Sequence, residues 1–412
     1  MTGVQTCALP ICAGMKRIYG ITIITACAMI FAVVGLYNMF WKKDADRTIK
    51  VGFVYVGDAS TAYTGNFMEA QEAVDNAFGD QVHTIAKYNV AEGAERQSIE
   101  ELVEEGCDII FATSYGYETV TKELAEKYPD VQFCMATGDN ANTDPVLDNY
   151  HTFMGAIYEG RYVSGVVAGM KLQELIENGT ITREQARIGY VGAYPYAEVI
   201  SGYTAFLLGA RSVVPEVTME VCYTNTWSNY LKEKKCAQSL IEDGCVIISQ
   251  HSDTSGPAVA CEQTDADIPV YLVSYNQSMA ELAPTTYLIG AKINWKPYMR
   301  QAVQAVLDQK KIEDVVVGNV NGQDIGAGFD ENWVQMLELN EVVVAKGTRE
   351  RIASTIEQLK SGQIEVFRGE YVGVNPQDVS DTYDLTEGYP ENKESSAPTF
   401  YYILQDVIDI KE

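Results

Sequence analysis

The chain has 412 residues, room for two to three domains. Its 57 acidic residues against 30 basic ones give a formal net charge of −27, which repels phosphate backbones and argues against nucleic-acid binding. At 47% hydrophobic and 10% aromatic residues it can fill cores, so global disorder is excluded. The nine cysteines form no C-x-x-C pair and there are only three histidines, so neither a metal nor a redox cofactor is expected. Cys107, Cys134 and Cys245 lie in apolar runs and read as small buried hydrophobes, whereas Cys222, Cys236 and Cys261 are open to pairing that spacing alone does not decide.

Residues Met1–Gly14 resemble the translation of a sequencing adapter and are set aside, which makes Met15 the expected start. Segment 15–48 reads as a membrane-targeting region. Lys16-Arg17 precede an uncharged stretch, Ile18–Trp41, long enough to span a hydrocarbon core of roughly 30 Å, and Lys42-Lys43 close it. Two readings stand: an uncleaved signal-anchor, or a lipoprotein signal in which Ile24-Thr25-Ala26-Cys27 presents Cys27 for lipidation. Either tethers the acidic body to the cell membrane, on its outer face.

The body begins near Ile49. Lys50–Gly57 is a β-rich apolar run ending in a Gly-Asp turn, and the same unit recurs at Val82–Tyr88, Asp108–Thr113 and Val131–Ala136. Helical patterns lie between, at Ala94–Glu105 and Glu118–Lys127. Strands alternating with such helices predict a parallel α/β sheet. The pattern then repeats. Lys50–Val54 resembles Arg187–Val191, Glu105–Ile110 resembles Asp243–Ile248, and the Val131-Gln132-Phe133 strand resembles Val270-Tyr271-Leu272, all at offsets near 137–138 residues. Two similar α/β lobes follow: 49–155 forms the first and 156–285 the second. Residues 286–330 return to complete the first lobe. Short strands are expected at Val315–Val320, within that return, and at Val342–Ala345; residues 331–412 complete both lobes, with a helix at Arg349–Ser361, the segment Ile364–Val374, a polar loop near 375–398 and a docking segment Phe400–Ile410.

Ligands of open parallel sheets sit beyond the carboxyl ends of the strands, so the cleft between lobes is the expected site and hinge closure the expected motion. The strand-end loops support this. Asp58–Phe67 carries an acid, hydroxyls, an amide and aromatics; capping by Asp58, Ser60 or Thr64 is the competing explanation. Ser114 and Tyr115 follow the third strand, and Asp139 the fourth. In the second half the corresponding ends hold Tyr196, Trp227, Gln250-His251-Ser252-Asp253 and Tyr275-Asn276. Stackers interleaved with donors and acceptors suit a flat, polar, weakly charged ligand. His251 and Asp253 do not form a relay motif, and no G-x-S-x-G, Walker or H-E-x-x-H pattern is present, so no enzyme activity is expected.

The chain resembles, over about residues 49–375, the basic membrane protein family of substrate-binding proteins for ABC importers. The carriers are Val51–Tyr55 with Gly57-Asp58, Tyr128-Pro129-Asp130, the Tyr158–Gly165 helix with its E-G-x-Y pattern, Gln250-His251-Ser252-Asp253, and Ile293–Tyr298. The resemblance implies a type I periplasmic-binding fold, two Rossmann-like lobes with three crossings between them. It implies capture of a purine nucleoside or nucleobase as a monomer and delivery to a membrane permease. By position, Asp58, Tyr63 and Phe67 would wall the first lobe with Asn66 near the ring. Tyr196 and Trp227 would stack from the second lobe, and Gln250, His251 and Asp253 would contact the ligand. Asn276 stands where an acid often binds ribose, and Lys292 lies on the returning segment. Thr64-Gly65-Asn66-Phe67 replaces the family's usual D-x-S-F-N run. Glu159 either caps its helix or pairs with Arg161. A membrane-tethered sensor of the same fold is the alternative function, and a nucleoside-hydrolysing enzyme a more distant one.

Overall fold

The computed structural model describes residues 47–411. The segment expected to act as an anchor, and Cys27 as the expected lipidation site, lie outside them. Among the described residues no helix is long and apolar enough to cross a membrane.

The first sheet grows from β1 (Ile49–Val54), β2 (Val82–Lys87), β3 (Ile109–Ala112), β4 (Gln132–Ala136) and β5 (Tyr150–Gly155). All five are parallel, in the order β5-β4-β3-β1-β2. Helices α1 (Ala62–Phe78), α2 (Glu95–Glu104) and α3 (Glu118–Lys127) cover its faces. Val51, Phe53, Ile109, Ile110, Phe111 and Phe133 are fully buried, and burial from both sides is why these strands read as continuous apolar runs rather than alternating ones.

The chain then crosses into α4 (Ile157–Glu177) and builds a second sheet from β6 (Arg187–Gly192), β7 (Thr218–Tyr223), β8 (Ile247–His251), β9 (Tyr271–Tyr275) and β10 (Tyr287–Ile293). Between these strands run α5 (Ala197–Arg211), α6 (Tyr230–Glu242) and α7 (Gly256–Glu262). The strand β10 pairs parallel with β9, so 287–293 belongs to the second lobe and the return begins only at Asn294, not at 286. Seven mostly apolar residues in register with a buried strand extend the sheet before the chain can leave it. Helix α8 (Lys296–Leu307) then packs on α1 in the first lobe. There β11 (Asn319–Asn321) and β12 (Asp324–Ala327) extend the first sheet beside β5. A third crossing leads to β13 (Val334–Met336), antiparallel to β10.

The remainder is helix α9 (Thr348–Lys360), a small sheet of β14 (Val372–Asn375), β15 (Asp378–Asp384) and β16 (Ile403–Leu404), and β17 (Ile408–Ile410), which pairs with β7 on the edge of the second sheet. The expected strand at Val342–Ala345 is a turn, because Val342 is exposed and no partner strand lies beside it. Of 315–320 only the last two residues are strand, as the start of Asn319–Asn321, and of 364–374 only the last three, as the start of Val372–Asn375. The polar loop 375–398 contains β15.

The internal repeat is structural down to single atoms. Cys107 N donates to Leu102 O at 3.1 Å and Cys245 N to Leu240 O at 3.0 Å. Gly52 and Gly189 face the same three side chains: a Cβ there would meet Leu102, Ile110 and Cys107 in one lobe, and Leu240, Ile248 and Cys245 in the other. In each lobe the packing around the first strand is tight enough at that place that even a methyl group forces its neighbours to shift. Cys222 and Cys236 form a disulfide with Cα atoms 5.9 Å apart, bracketing the loop that carries Trp227, while Cys261 is a buried free thiol.

Candidate ligand site

The carboxyl ends of the two sheets face each other and enclose a cavity of about 120 Å³. From the first lobe come Val56, Gly57 and Thr61 of the loop after β1, Tyr63 at the start of α1, Ser114 and Tyr115 after β3, and Thr137 after β4. The second lobe supplies Glu198 from the first turn of α5, Trp227 and Ser228 after β7, His251 and Asp253 after β8, and Tyr275 ending β9. Rings dominate the walls. Tyr194 stacks on Tyr196 at 5.1 Å and meets the Trp227 ring edge-on at 5.2 Å. Tyr115 approaches Tyr196 across the lobes at 5.7 Å.

The loops are held by carboxylates, the buried Glu233 in the second lobe and the exposed Glu92 in the first. Glu233 accepts from Asn229 N at 2.9 Å and Thr254 N at 3.0 Å, and Asp253 N donates to Trp227 O at 3.0 Å. These bonds lock the Trp227 and Asp253 loops to one another. In the first lobe Glu92 accepts from Ser114 Oγ at 2.7 Å and Gly116 N at 3.0 Å. Thr137, a β-branched residue, has a φ of +64°. That conformation is costly for such a side chain and is found where a site dictates the backbone.

Electrostatics concentrate in the second lobe. Burial, then the neighbouring Glu233 and Glu198 carboxylates, push the Asp253 carboxyl up to about 8, so it holds a proton at neutral pH and can donate. Burial also pushes His251 below its ordinary value, so its Nε2–H donates as a neutral ring to Glu198 Oε1 at 3.3 Å, and its Nδ1 has no partner. Among the described residues lining the cavity there is no lysine or arginine. The cavity therefore suits an uncharged, flat molecule with ring nitrogens or exocyclic polar groups.

Of the residues singled out from the sequence, Tyr63, Ser114, Tyr115, Trp227, His251 and Asp253 line this cavity. The others stand around it. Asp58 is used locally, accepting from Ser60 N at 2.9 Å and Asn89 Nδ2 at 3.1 Å, which hold its carboxylate below the usual range. Phe67 is buried and stacked on Trp295 at 4.4 Å in the first-lobe core. Asn66 donates across the lobes to Asn276 Oδ1 at 3.1 Å. Lys292 reaches Glu69 at 2.9 Å. Gln250 is buried and ties its own loop by donating to Ser252 O and Thr254 O. Tyr196 forms the rim, and Asp139 is exposed, its amide donating to Glu118. Glu159 accepts from Phe329 N at 2.8 Å rather than pairing with Arg161.

Glu198 escaped the sequence reading. An acid in the first turn of a helix is ordinary complementation of the dipole, and only its place directly after Tyr194-Pro195-Tyr196 marks it. Thr61, Thr137 and Tyr275 sit in loops the sequence did flag, but nothing in their spacing separated them from their neighbours.

Two lobes joined by three crossings, with an aromatic cavity between their strand ends, are the architecture of a solute-binding protein. Solved solute-binding proteins of ABC transporter systems share it: one from Aeropyrum pernix K1 superposes with a TM-score of 0.62 at 14% identity, covering 81% of this chain and 95% of its own. Another, from Conexibacter woesei, gives 0.60 at 16% identity, covering 77% and 98%. Residues 49–366 match the Bmp family model, described as ABC transporter substrate-binding protein, PnrA-like, and the chain belongs to that family. It is 32% identical over 343 residues to a purine-binding protein of Brucella abortus, covering 83% of this chain and 89% of that one. It is 30% identical over 326 residues to a putative ABC transporter glucose-binding protein of Haloferax volcanii, covering 78% and 75%.

Proposed function

We propose that this protein captures a purine nucleobase or nucleoside outside the cytoplasmic membrane, as a monomer tethered by its N-terminal segment, and passes it to an ABC permease without chemical change. The observation that carries this reading is the pairing of aromatic walls with a protonated Asp253 and the Glu198 acceptor. Trp227 and Tyr275 offer faces or edges to a flat ring, and each stacked base contributes roughly 1–3 kcal/mol. Protonated Asp253 can donate to a bare ring nitrogen, and Glu198 can accept from a ring N–H or an exocyclic amine. The name of the Brucella relative supports the same class.

In the working cycle the second lobe, which holds every acid and base of the site, receives the ligand first. The first lobe then closes, bringing Tyr63, Ser114, Tyr115 and Thr137 over it. The Asn66–Asn276 hydrogen bond and the Tyr115–Tyr196 contact join the lobes across the cleft, as such a closed state would need.

A sugar is the second reading, favoured by the name of the Haloferax relative, since aromatic rings also stack on pyranose faces. Thermal unfolding of ligand-stripped protein against purine bases and nucleosides, pyrimidines and glucose separates the two. A ligand at 100 times its dissociation constant stabilises by about 2.7 kcal/mol. Stabilisation by a purine and not by glucose is the expected result. The converse, or no purine response at saturating concentration, overturns the purine reading.

A further inference from the structure

Arg161 is 1% exposed, yet among the described residues no carboxylate lies within 4 Å of its guanidinium. A buried, unpaired cation is among the most expensive groups a fold can keep. What surrounds it is the back of the cavity. Its Nη1 donates to Gln250 O at 2.9 Å, on the last turnless residues of β8 before His251. The guanidinium carbon lies 3.7 Å from the centre of the Tyr275 ring and 5.8 Å from that of Tyr190. Its Nε and Nη2 have no partner. The space beside Gly202 is flanked by both key groups: a Cβ there would lie 3.0 Å from His251 Nδ1 and 3.7 Å from Arg161 Nε. His251 in turn lies 4.7 Å from the Tyr275 ring, so one cation touches or adjoins two cavity-lining side chains on neighbouring strands.

We propose that Arg161 is a positioning residue for ligand capture: it braces Tyr275 from behind by cation–π contact and pins the β8 end that carries His251. Its charge adds to burial, the larger cause, in disfavouring protonation of the His251 ring. The neutral ring matters because an imidazolium would bind Glu198 as an ion pair and withdraw that acceptor from the ligand. The groups facing His251 are Arg161 from α4, Glu198 from α5, Tyr275 from β9, and Asp253 from its own loop, with Tyr63 across the cavity. Glu198 favours a protonated ring; burial and Arg161 oppose it. Removing the Arg161 charge leaves Glu198 opposed by burial alone.

The inference rests on the cavity being the ligand site, and the test separates the two. The chain has only three histidines, so ring resonances of ¹³C-labelled full-length protein can be assigned with a single His251→Gln control. In ligand-free wild type, His251 titrates below the ordinary value of about 6.5. In Arg161→Gln its midpoint rises measurably above that of wild type, the direction expected of losing a nearby like charge. Arg161→Lys, which keeps the charge without the planar fork, restores the wild-type titration. With adenine and adenosine as probes, Arg161→Gln weakens whichever binds by about tenfold or more, and Arg161→Lys recovers part of that. A wild-type His251 that titrates at or above its ordinary value overturns the proposal even if the glutamine variant fails to fold. So does an Arg161→Gln variant with unchanged titration or unchanged affinity. If neither probe binds wild type, the purine reading falls, and the ligand-free titrations still decide whether Arg161 holds His251 neutral.

Discussion

At the end of the third strand of the first lobe stand Ser114 and Tyr115; at the end of the corresponding strand of the second lobe stand His251 and Asp253. The frames around them are alike. Each lobe ties its strand-end loops with a glutamate, the exposed Glu92 in one and the buried Glu233 in the other. The side chains offered to the cavity are not alike. The first lobe presents hydroxyls, a backbone turn and tyrosines, and the second presents Glu198, His251, Asp253 and Trp227. Duplication preserves the strand and helix geometry because the core fixes it, whereas the loop tips are free to specialise. On the proposed function, the second lobe reads the ligand and the first covers it.

If that division is right, the largest loss comes from the second lobe's stacker. Trp227→Ala should weaken binding of the purine by roughly 5- to 150-fold, the equivalent of 1–3 kcal/mol, with the ligand-free melting temperature nearly unchanged. Calorimetric titration checks it. An unchanged dissociation constant would place the ligand elsewhere in the cleft.

The next effect is a pH limb that belongs to Asp253 alone. With its folded value near 8, the carboxyl is neutral and donating below that pH, and affinity should fall about tenfold per unit above it. Asp253→Asn, which cannot ionise, should bind with no alkaline limb. Stability runs in the same direction. The folded value lies above the ordinary unfolded value of about 3.9, so the folded state holds more protons between the two. Ligand-free stability attributable to this group is therefore lost as pH rises from about 4 and the loss is complete above about 8. Asp253→Asn should match wild type near pH 4 and exceed it by on the order of a few kcal/mol at pH 9. A flat difference between the two across that range would mean that Asp253 is solvated. On the other side of the cleft, Tyr115→Ala should cost only a few-fold in affinity, because Tyr115 is 43% exposed and stacks at the rim. A larger loss than Trp227→Ala gives would invert the assignment of reader and cover.

Much of the frame was legible before any coordinates, because strands buried on both faces must be apolar runs and a duplicated core leaves duplicated Gly, Leu, Ile and Cys positions. The return to the first lobe was misplaced by about seven residues because Tyr287–Ile293 is the same kind of apolar strand whichever sheet takes it. The site was legible only as a set of loops. Phe67 sits one helical turn beyond Tyr63 and would share its face, but Trp295, more than 200 residues later, covers it. Asp58 and Gln250 spend their hydrogen bonds on their own loops. Which member of a polar loop turns inward is settled by long-range packing, and that leaves no local mark.

The two lobes should also differ where they look most alike. A Cβ at Gly52 would lie 3.0 Å from Leu102 Cδ1, 3.1 Å from Ile110 Cγ1 and 3.3 Å from Cys107 Sγ. The first and last of these are ends of side chains that a small rotation moves aside. At Gly189 the contacts are 2.8 Å to Ile248 Cδ1, 2.8 Å to Leu240 Cβ and 3.2 Å to Cys245 Cβ. Two of those atoms are fixed to the backbone, so relief requires the α6 helix itself to retreat from the sheet. Overpacking of this kind costs roughly 1–3 kcal/mol, and Gly189→Ala should lie at the upper end with Gly52→Ala at the lower. Thermal unfolding of the two ligand-free variants should separate them by a few degrees, with Gly189→Ala the lower. Since α6 also carries Glu233, which fixes the Trp227 and Asp253 loops, the same retreat should lower purine affinity in Gly189→Ala and leave it intact in Gly52→Ala. Equal melting temperatures with equal affinities would show that the reading lobe tolerates helix displacement as well as its cover does, and that its precision comes from the loops alone.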